Sequence, residues 1–289
     1  MDYILRGTIG ASARIFIANT KETVQKAFEL HHTSPVMSAA LGRSLTAAAM
    51  MGCMLKSDGD LLTITIKGDG QGGGLTVTAD SKARVKGYVY NPVVDIPLKE
   101  NGKLDVQGAL GYGSMTIIKD MGLKEPYVGQ IPLVSGEIAE DLTYYFAKSE
   151  QTPSAVALGV LVDRDYSIKQ AGGFIIQMLP NAQEEVISAL EEKHARLSPV
   201  TTMLEEGMSC EEIFDLIAEN LEHNVLDKIP VEFYCNCSKE RVEKALISAG
   251  KSELTSILEE DGQATLHCHF CNKDYIFDAE ELKSLIERL

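Results

Sequence analysis

Four cysteines near the C-terminus place the tightest constraint on how this chain folds. Cys235 and Cys237 form a Cys-x-Cys pair, and further along the chain Cys268 and Cys271 form a Cys-x-x-Cys pair. A Cys-x-x-Cys pair at a hairpin tip directs two sulfurs at one ion, and four thiolates complete the tetrahedral shell of zinc. Because a complete shell leaves no position for water, the pattern predicts one structural zinc rather than a hydrolytic centre.

The residues around these cysteines predict a small module over residues 232–289, which begins with a short strand, VEFY. Two further strands, 264–267 and 275–277, flank the second cysteine pair. Between the pairs lies a predicted helical hairpin, and a last helix follows. Capping residues mark these helices: Ser238, Gly250, and Asp278 with Glu281. The hairpin is expected to bring the two pairs together.

The energetics of such a module favour a redox switch. A segment this short has a thin core and is marginally stable without a further constraint. Structural zinc contributes on the order of 10–16 kcal/mol of apparent binding free energy. Oxidation of the thiolates releases the ion, and a disulfide within either close pair restores little because its loop is short. We therefore expect oxidation to unfold the module, and the neighbouring segment to follow.

The other histidines and cysteines of interest are not predicted to bind the metal. His267 and His269 flank Cys268, and on a strand their side chains project to the opposite face, so they are interpreted as exposed neighbours. Cys53 lies in an apolar helix and Cys210 follows an N-cap, and both are interpreted as ordinary thiols. A helix N-terminus can lower a thiol pKa, which leaves a reactive Cys210 open as an alternative.

Residues 1–179 predict a mixed α/β core domain. The segment 38–55, SAALGRSLTAAAMMGCML, exceeds strand length and is apolar throughout, which predicts a buried helix. β-Branched residues and partial alternation predict strands at 61–67, 75–79, 86–90, 115–119, 129–134, 156–162 and 173–179. The predicted fold class is α+β, with a core domain, a helical linker and a small C-terminal zinc-binding module.

The sequence of residues 180–231 predicts an acidic helical linker. Between residues 182 and 228 there are 12 acidic and 3 basic residues. Capping signals mark three short helices, and no strand is expected: Asn181 with Glu184, Ser198 with Pro199, and Ser209 with Glu212. Apolar side chains recur at helical spacing: Val186, Leu190, Ile213, Leu216 and Ile217. Because helices this short are not stable alone in water, we expect that face to dock on the core domain.

The net charge of −15 disfavours binding to nucleic acid or to anionic membranes. No run of about 18 apolar residues predicts a membrane span. The first residues, MDYILRGTIG, lack the features of a signal peptide. We therefore expect a cytoplasmic protein, in which reduced cysteines favour a metal or redox site over a disulfide framework.

Two further motifs receive structural interpretations. Gly68, Gly70 and Gly73 match G-x-G-x-x-G, but the strand-like LTVTA follows where a dinucleotide site needs a helix, so a hairpin turn is predicted. His31 and His32 follow a helix-like stretch and are expected at the surface. Since no P-loop sequence and no Ser/His/Asp set is recognisable, we do not expect an enzyme.

Three functions compete for the cysteine cluster: a redox-switched holdase, a zinc-ribbon nucleic-acid adaptor and a thiol–disulfide oxidoreductase. An adaptor needs a basic face, which the acidic C-terminal half does not provide. An oxidoreductase needs its Cys-x-x-Cys pair at a helix N-terminus, which lowers one thiol pKa. Here the pair, CHFC, lies between predicted strands.

Residues 235–277, CNCSKERVEKALISAGKSELTSILEEDGQATLHCHFCNKDYIF, closely resemble the zinc module of the bacterial 33-kilodalton chaperonin family, the redox-regulated heat-shock holdases. The resemblance continues in SAALGRSLTAAAMM, in SEQTPS at residues 149–154 and in GGFIIQMLP at residues 172–180, and it covers essentially the whole chain. One departure is Gln71, where the family often has Pro; it should loosen a turn without affecting the cysteines.

The resemblance implies a role for every member of the cysteine cluster. In the reduced state one zinc is held by Cys235, Cys237, Cys268 and Cys271. On oxidation the family forms disulfides within each pair, Cys235–Cys237 and Cys268–Cys271, releases zinc, unfolds the linker and exposes apolar surface. That surface is expected to hold unfolding or oxidatively damaged client proteins without ATP, and the oxidised form is expected to be a homodimer.

Overall fold

The computed structural model describes all 289 residues, and they form two compact units, Met1–Tyr234 and Cys235–Leu289. The larger unit contains a five-stranded and a six-stranded sheet, and the smaller unit contains a two-stranded sheet. None of the ten helices is both long enough and apolar enough to cross a membrane.

A long apolar helix, α2 (Pro35–Gly52), is the centre of the larger unit. Every residue of α2 except Pro35 and Arg43 is buried, and the helix packs against strands of both sheets. The small residues of α2 allow both sheets to approach it closely. The hydroxyl groups of Ser44 and Thr46 donate hydrogen bonds to backbone carbonyl oxygens one turn earlier in the helix. The predicted buried helix is confirmed, although it begins and ends three residues earlier than expected.

The two sheets lie on either side of α2. The five-stranded sheet is antiparallel, in the order β10-β1-β2-β9-β8. Its strands are β1 (Tyr3–Ile9), β2 (Ala13–Asn19), β8 (Ser154–Val162), β9 (Ile168–Met178) and β10 (His223–Pro230). The six-stranded sheet has the order β11-β5-β4-β3-β6-β7, and only the β11–β5 pair is parallel. Its strands are β3 (Leu61–Gly68), β4 (Gly74–Asp80), β5 (Arg84–Val89), β6 (Gly113–Asp120), β7 (Tyr127–Pro132) and β11 (Glu232–Phe233).

All seven strands predicted in residues 1–179 are confirmed as β3 to β9. The glycine-rich segment is the connection between β3 and β4, as expected, so it is a turn between strands and not a dinucleotide loop. The sequence did not single out β1 and β2 individually. Three short helices complete this part of the chain: α1 (Lys21–His31), α3 (Val106–Leu110) and α4 (Ala139–Lys148).

The expectation for His31 is wrong, whereas the expectation for His32 is confirmed. His31 is buried, and its ring makes an edge contact with Phe233 at 6.4 Å between ring centroids. It lies on the inner face of α1, one turn after the buried Ala27. His32 is exposed and ends the helix in the left-handed conformation, with φ 49°. Adjacent residues at a helix end therefore have opposite environments.

Three further helices cover the outer face of the five-stranded sheet: α5 (Glu184–Arg196), α6 (Val200–Glu205) and α7 (Cys210–Ile217). The sheet is apolar on both faces because its strands alternate. In β1 and β2, Leu5 and Ile15 pack with these helices, whereas Ile4 and Phe16 belong to the core around α2. The predicted docking of the apolar linker face on the core is confirmed.

The expectation that residues 180–231 contain no strand is wrong, because β10 pairs with β1 along its whole length. Its sequence, HNVLDKIP, lacks the alternation that marks a half-buried strand, and most of its side chains are exposed. The strand exists because β1 offers a free edge. Arg6 on β1 binds Asp227 on β10 through two hydrogen bonds, at 3.0 and 2.6 Å.

The predicted helix starts in this segment have different outcomes. The capping box of Ser209 and Glu212 at α7 is confirmed. Asn181 is not an N-cap: it lies in a turn with φ 66°, and α5 begins after Gln183. Pro199 is the N-cap of α6 rather than its first residue. The Asn181 error arises because Asn favours a left-handed turn as strongly as it favours a cap.

The smaller unit contains α8 (Lys239–Ala249), α9 (Lys251–Glu260), β12 (Ala264–Cys268), β13 (Lys273–Phe277) and α10 (Ala279–Glu287). The predicted caps are confirmed at Ser238, at Gly250, and at Asp278 with Glu281. Its core consists of seven buried side chains: Leu246, Leu254, Ala264, Tyr275, Phe277, Leu282 and Leu285. The predicted VEFY strand is β11, and it lies in the larger unit. The division into residues 1–179, 180–231 and 232–289 stays a prediction.

Candidate metal centre

The four C-terminal cysteines converge on one point. All four Sγ atoms lie within 4.8 Å of one another. The Cys235 and Cys268 sulfurs are 3.7 Å apart, and the Cys237 and Cys271 sulfurs are 3.3 Å apart. Zinc–sulfur bonds of about 2.3 Å in a tetrahedron place neighbouring sulfurs about 3.8 Å apart. The cluster therefore has the donor set and nearly the dimensions of a four-thiolate zinc site.

Local structure explains why the pairs meet. Cys237 directly precedes Ser238, the N-cap of α8, so the first pair lies where the chain enters a helix. Cys268 ends β12, and the backbone N–H groups of Cys271 and Asn272 both donate to its carbonyl, at 3.2 and 2.8 Å. These bonds close a tight turn, helped by Asn272 at φ 53°. The second pair is thus a knuckle at a hairpin tip, as the sequence predicts.

The environment of the sulfurs favours binding of a cation. All four are half-buried, and burial raises the pKa of Cys235 to about 11. Burial also acts on Cys237, but hydrogen bonds outweigh it: the Tyr275 hydroxyl donates at 3.0 Å and the other thiols contribute, which lowers its pKa to about 7. One thiolate is therefore stabilised, whereas repulsion between neighbouring thiolates opposes their simultaneous presence without a positive ion between them.

The flanking histidines lie outside the cluster, and the expectation that they are exposed is confirmed. Both ring nitrogens of His267 face side-chain oxygens: Nδ1 lies 2.7 Å from Asp274, and Nε2 lies 3.2 Å from Asn272. His269 contacts the His267 ring edge-on, at 5.2 Å between centroids. The group able to hold a metal consists of the cysteines alone.

Cys53 and Cys210 are buried in the larger unit and are not members of the cluster, which supports their interpretation as ordinary thiols. Burial is the main cause that raises the pKa of each thiol to about 12. The alternative of a reactive Cys210 with a lowered pKa is therefore wrong. Its helix N-terminus packs into the apolar layer on the five-stranded sheet, where desolvation outweighs the helix dipole.

Tyr275 is the neighbour of the cluster that the sequence did not single out. It lies on β13 opposite Leu266 of β12, and its hydroxyl reaches Cys237 from the hairpin. An aromatic residue within a short strand usually belongs to the hydrophobic core, so the sequence does not indicate this contact. Only the register of the hairpin reveals it. The same hairpin places CHFC between two strands rather than at a helix N-terminus, which does not meet the requirement for an oxidoreductase.

Comparison with known proteins gives this centre a context. A family model described as Hsp33 protein matches residues 2–278. The chain belongs to the Hsp33 family. It is 55% identical over 288 residues to a 33 kDa chaperonin of Lachnoclostridium phytofermentans, covering 99% of both chains. It is 52% identical over 290 residues to a 33 kDa chaperonin of Clostridioides difficile, covering 100% of this chain and 99% of that one.

The fold agrees with this Hsp33 assignment. The crystal structure of the 33 kDa chaperonin from Thermotoga maritima matches with a TM-score of 0.92 and 35% sequence identity, covering 99% of this chain and 98% of that one. The predicted α+β fold is therefore confirmed. The names of the family and its relatives support a chaperone, and Hsp33 is not an enzyme class. A chaperone implies unfolded client proteins as partners.

Proposed function

We propose that this chain is a redox-regulated, ATP-independent holdase, inactive when reduced and zinc-bound and active when oxidised. One observation carries the proposal: four thiols converge within 4.8 Å in a compact unit whose core has only seven buried side chains. A unit of this kind depends on its metal for stability. Oxidation of the four sulfurs alone would therefore unfold this unit, without any chemical change elsewhere in the chain.

The four-thiolate cluster fits a structural zinc site better than a catalytic metal site. Cys235, Cys237, Cys268 and Cys271 would hold one zinc per chain, and thiolate sulfur is a ligand type that zinc prefers. The bound ion would supply the positive charge that lets four neighbouring thiols ionise together. A closed four-sulfur shell is structural, so the role of these residues in the reduced state is to hold the module folded.

The proposed switch is a balanced two-electron reaction at each pair. With a peroxide as oxidant, two thiolates and two protons reduce one H₂O₂ to two waters, and one disulfide forms. Reaction of both pairs, Cys235–Cys237 and Cys268–Cys271, consumes every ligand and releases Zn²⁺. Each disulfide closes a very short loop, so it cannot replace the stability that the metal supplied.

The segment proposed to respond is the linker that ends at the module. Only Tyr234 separates β11 from Cys235, and β11 itself is very short. Among the linker helices, α5 buries only Leu190 and has no side-chain cap at its N-terminus. Strand β10 lies at the edge of its sheet with most side chains exposed. Such elements have little stability of their own and are the first to open.

Undocking of the linker would expose two apolar surfaces at once. One is the stripe on the helices, which includes Ile213 and Phe214, and the other is the sheet face beneath it, which includes Ile15, Ile17 and Phe174. Contiguous apolar patches bind non-native chains with little sequence preference. Unfolding or oxidatively damaged proteins are therefore the proposed clients, and pairing of exposed surfaces would favour a homodimer of the oxidised form. The proposed compartment is the cytoplasm, where thiols are normally kept reduced, so that oxidation of the switch would report oxidative stress.

Aggregation of a heat-denatured client, followed by light scattering, tests the proposal. Reduced, zinc-loaded protein should suppress aggregation poorly, and protein oxidised with peroxide under mildly unfolding conditions should suppress it well. Zinc release and free thiols measured on the same samples should change in parallel, and sedimentation should report the oligomeric state. Equal suppression in both states would leave a constitutive binder and remove the switch.

A further inference from the structure

His223 occupies a position where the linker helices join the sheet. It is the first residue of β10, and its ring turns back towards α7. Its Nδ1 lies 2.8 Å from the carbonyl oxygen of Leu221, and its Nε2 lies 3.0 Å from Oδ1 of Asp215 on α7. The ring also makes an edge contact with Phe214, at 4.9 Å between centroids. One side chain therefore connects helix, loop and strand.

The Leu221 carbonyl oxygen and the Asp215 carboxylate oxygen together favour the protonated form of the His223 ring. A neutral imidazole carries one N–H and one lone pair, so it can donate to only one of these acceptors. The imidazolium ion carries two N–H groups and satisfies both. Hydrogen bonding to the Leu221 carbonyl, followed by that to Asp215, raises the pKa of His223 above its ordinary value. The docked arrangement is therefore complementary to the protonated ring.

We propose that His223 is a proton-operated latch that holds α7 on the five-stranded sheet, so that loss of its proton eases release of the linker. The regulatory part of this inference rests on the proposed function, whereas the latch itself is a property of the docked structure. It adds a pH input to the same linker that oxidation is proposed to release.

The latch lies beside Phe214, one of the fully buried side chains of α7. Phe214 is fully buried, and its ring contacts the His223 ring edge-on and also lies against Gly7 of β1. A Cβ atom at Gly7 would lie 2.6 Å from Phe214 Cε1, so the strand has no room for a side chain under this ring. A change in the His223–Asp215 bond therefore acts at a place where α7 packs tightly against β1.

Asp215 is the charged group that contacts the His223 ring. The residue opposite His223 on β1 is Ile9, which has no charge. Glu222 adjoins His223 in the chain but is not among the causes of its raised pKa. The other charged groups of the surrounding elements have separate partners: Glu211 with Lys228 and Tyr3, Glu212 with Ser209, Glu219 with Lys193, and Asp227 with Arg6. The ion pair of His223 is with Asp215.

The direction of the pH effect follows from the raised pKa. The stabilisation is fully present below the pKa of an unfolded histidine, about 6.5, and it is lost as the pH rises through the folded value. The linker should therefore be held more firmly at pH 6 than at pH 8. Because Asp215 is exposed, the effect should be of the size found for surface ion pairs, about two- to fivefold in the opening equilibrium.

NMR titration of the histidine rings in reduced, zinc-loaded protein tests the latch directly. His223 should titrate above the ordinary histidine value of about 6.5, with both ring nitrogens protonated at pH 6. Asp215→Asn should lower the His223 pKa, whereas His32→Asn, a control at an exposed position that tolerates Asn, should leave it unchanged. A His223 pKa that is ordinary and insensitive to Asp215→Asn would overturn the proposal.

Hydrogen exchange of α7 supplies the second measurement, corrected for the intrinsic pH dependence of exchange and with zinc content checked at each pH. Wild type should lose about two- to fivefold more protection between pH 6 and pH 8 than His223→Gln. Equal pH dependence in both proteins would also overturn the latch. If the latch is found but oxidised protein fails to hold clients, the proposed function falls and the latch stands.

Discussion

The core around α2 and the cysteine module differ in the interactions available to hold them together. In the core, a helix buried on all sides lies between two sheets, and large apolar side chains such as Tyr145 and Phe146 are fully buried. In the module, seven buried side chains accompany four convergent thiols. Apolar burial does not respond to oxidants, whereas thiolate–metal bonds do. Under the proposed function, this difference would let one chain combine a stable scaffold with an element that oxidation removes.

The linker helices form a third region, which packs on the outside of the core. They bury Ile213, Phe214 and Ile217 as a core would, but they do so on the outer face of a sheet that is already complete. Their removal would expose apolar surface and is expected to leave the α2 core intact. This arrangement predicts a ranking in which the module is lost most easily, the linker next, and the core last.

The largest expected effect comes from removing one metal ligand. Cys268→Ser should lose most of the bound zinc, because three thiolates cannot complete the shell, and about 10–16 kcal/mol of metal-dependent stability is at stake. Zinc per chain, measured by elemental analysis, should fall from one towards zero. Cys53→Ala removes a buried thiol outside the cluster and should keep the full zinc content. Full zinc in Cys268→Ser would mean that another group is the ligand.

Oxidation of the wild-type chain should reproduce the same ranking. After peroxide treatment, residues 182–289 should exchange amide hydrogens quickly, while most of residues 1–179 stay protected by the two sheets and α2. Hydrogen exchange with mass spectrometry resolves these segments. If the linker stays protected while client binding begins, the binding surface lies elsewhere and the proposed coupling between module and linker fails.

A matched pair of core substitutions separates the linker from the scaffold. Phe214→Ala and Phe146→Ala each remove a fully buried ring, at a cost of about 3–5 kcal/mol. Phe214→Ala should loosen α7 and give the reduced, zinc-loaded protein holdase activity. Phe146→Ala should lower the thermal stability of the core without switching that activity on. Similar activity in both variants would show that general destabilisation, not linker release, produces client binding.

The smallest expected effect comes from helix caps in the two responsive regions. Ser209 caps α7 and Ser238 caps α8, and replacement of either by Ala should cost about 1 kcal/mol. Ser209→Ala should lower the oxidant concentration needed for activity while zinc affinity stays unchanged. Ser238→Ala should weaken zinc binding instead. A metal-binding competition assay and the aggregation assay distinguish the two, and identical behaviour would argue against separate roles for module and linker.

The amino-acid sequence alone was sufficient for features that depend on neighbouring residues. The paired spacing of Cys235, Cys237, Cys268 and Cys271 predicted one site, because each pair needs only a local turn and the predicted helical hairpin between them can bring the pairs together. The caps at Ser209, Ser238 and Asp278 were predicted, since a cap involves residues within one turn of each other. Helix α2 and the central strands followed from composition and length.

Only the tertiary structure decided features that depend on distant partners. Strand β10 forms because β1, from the opposite end of the larger unit's sequence, offers a free edge, as the pairing of Tyr3 with Pro230 shows. The high pKa of Cys210 arises from burial between α7 and the five-stranded sheet, which no local pattern records. The two acceptors around His223 come from a helix and a loop that fold back on a strand. In each case the free energy of the feature depends on burial or on pairing between segments distant in the sequence. The feature therefore forms only when those segments come together.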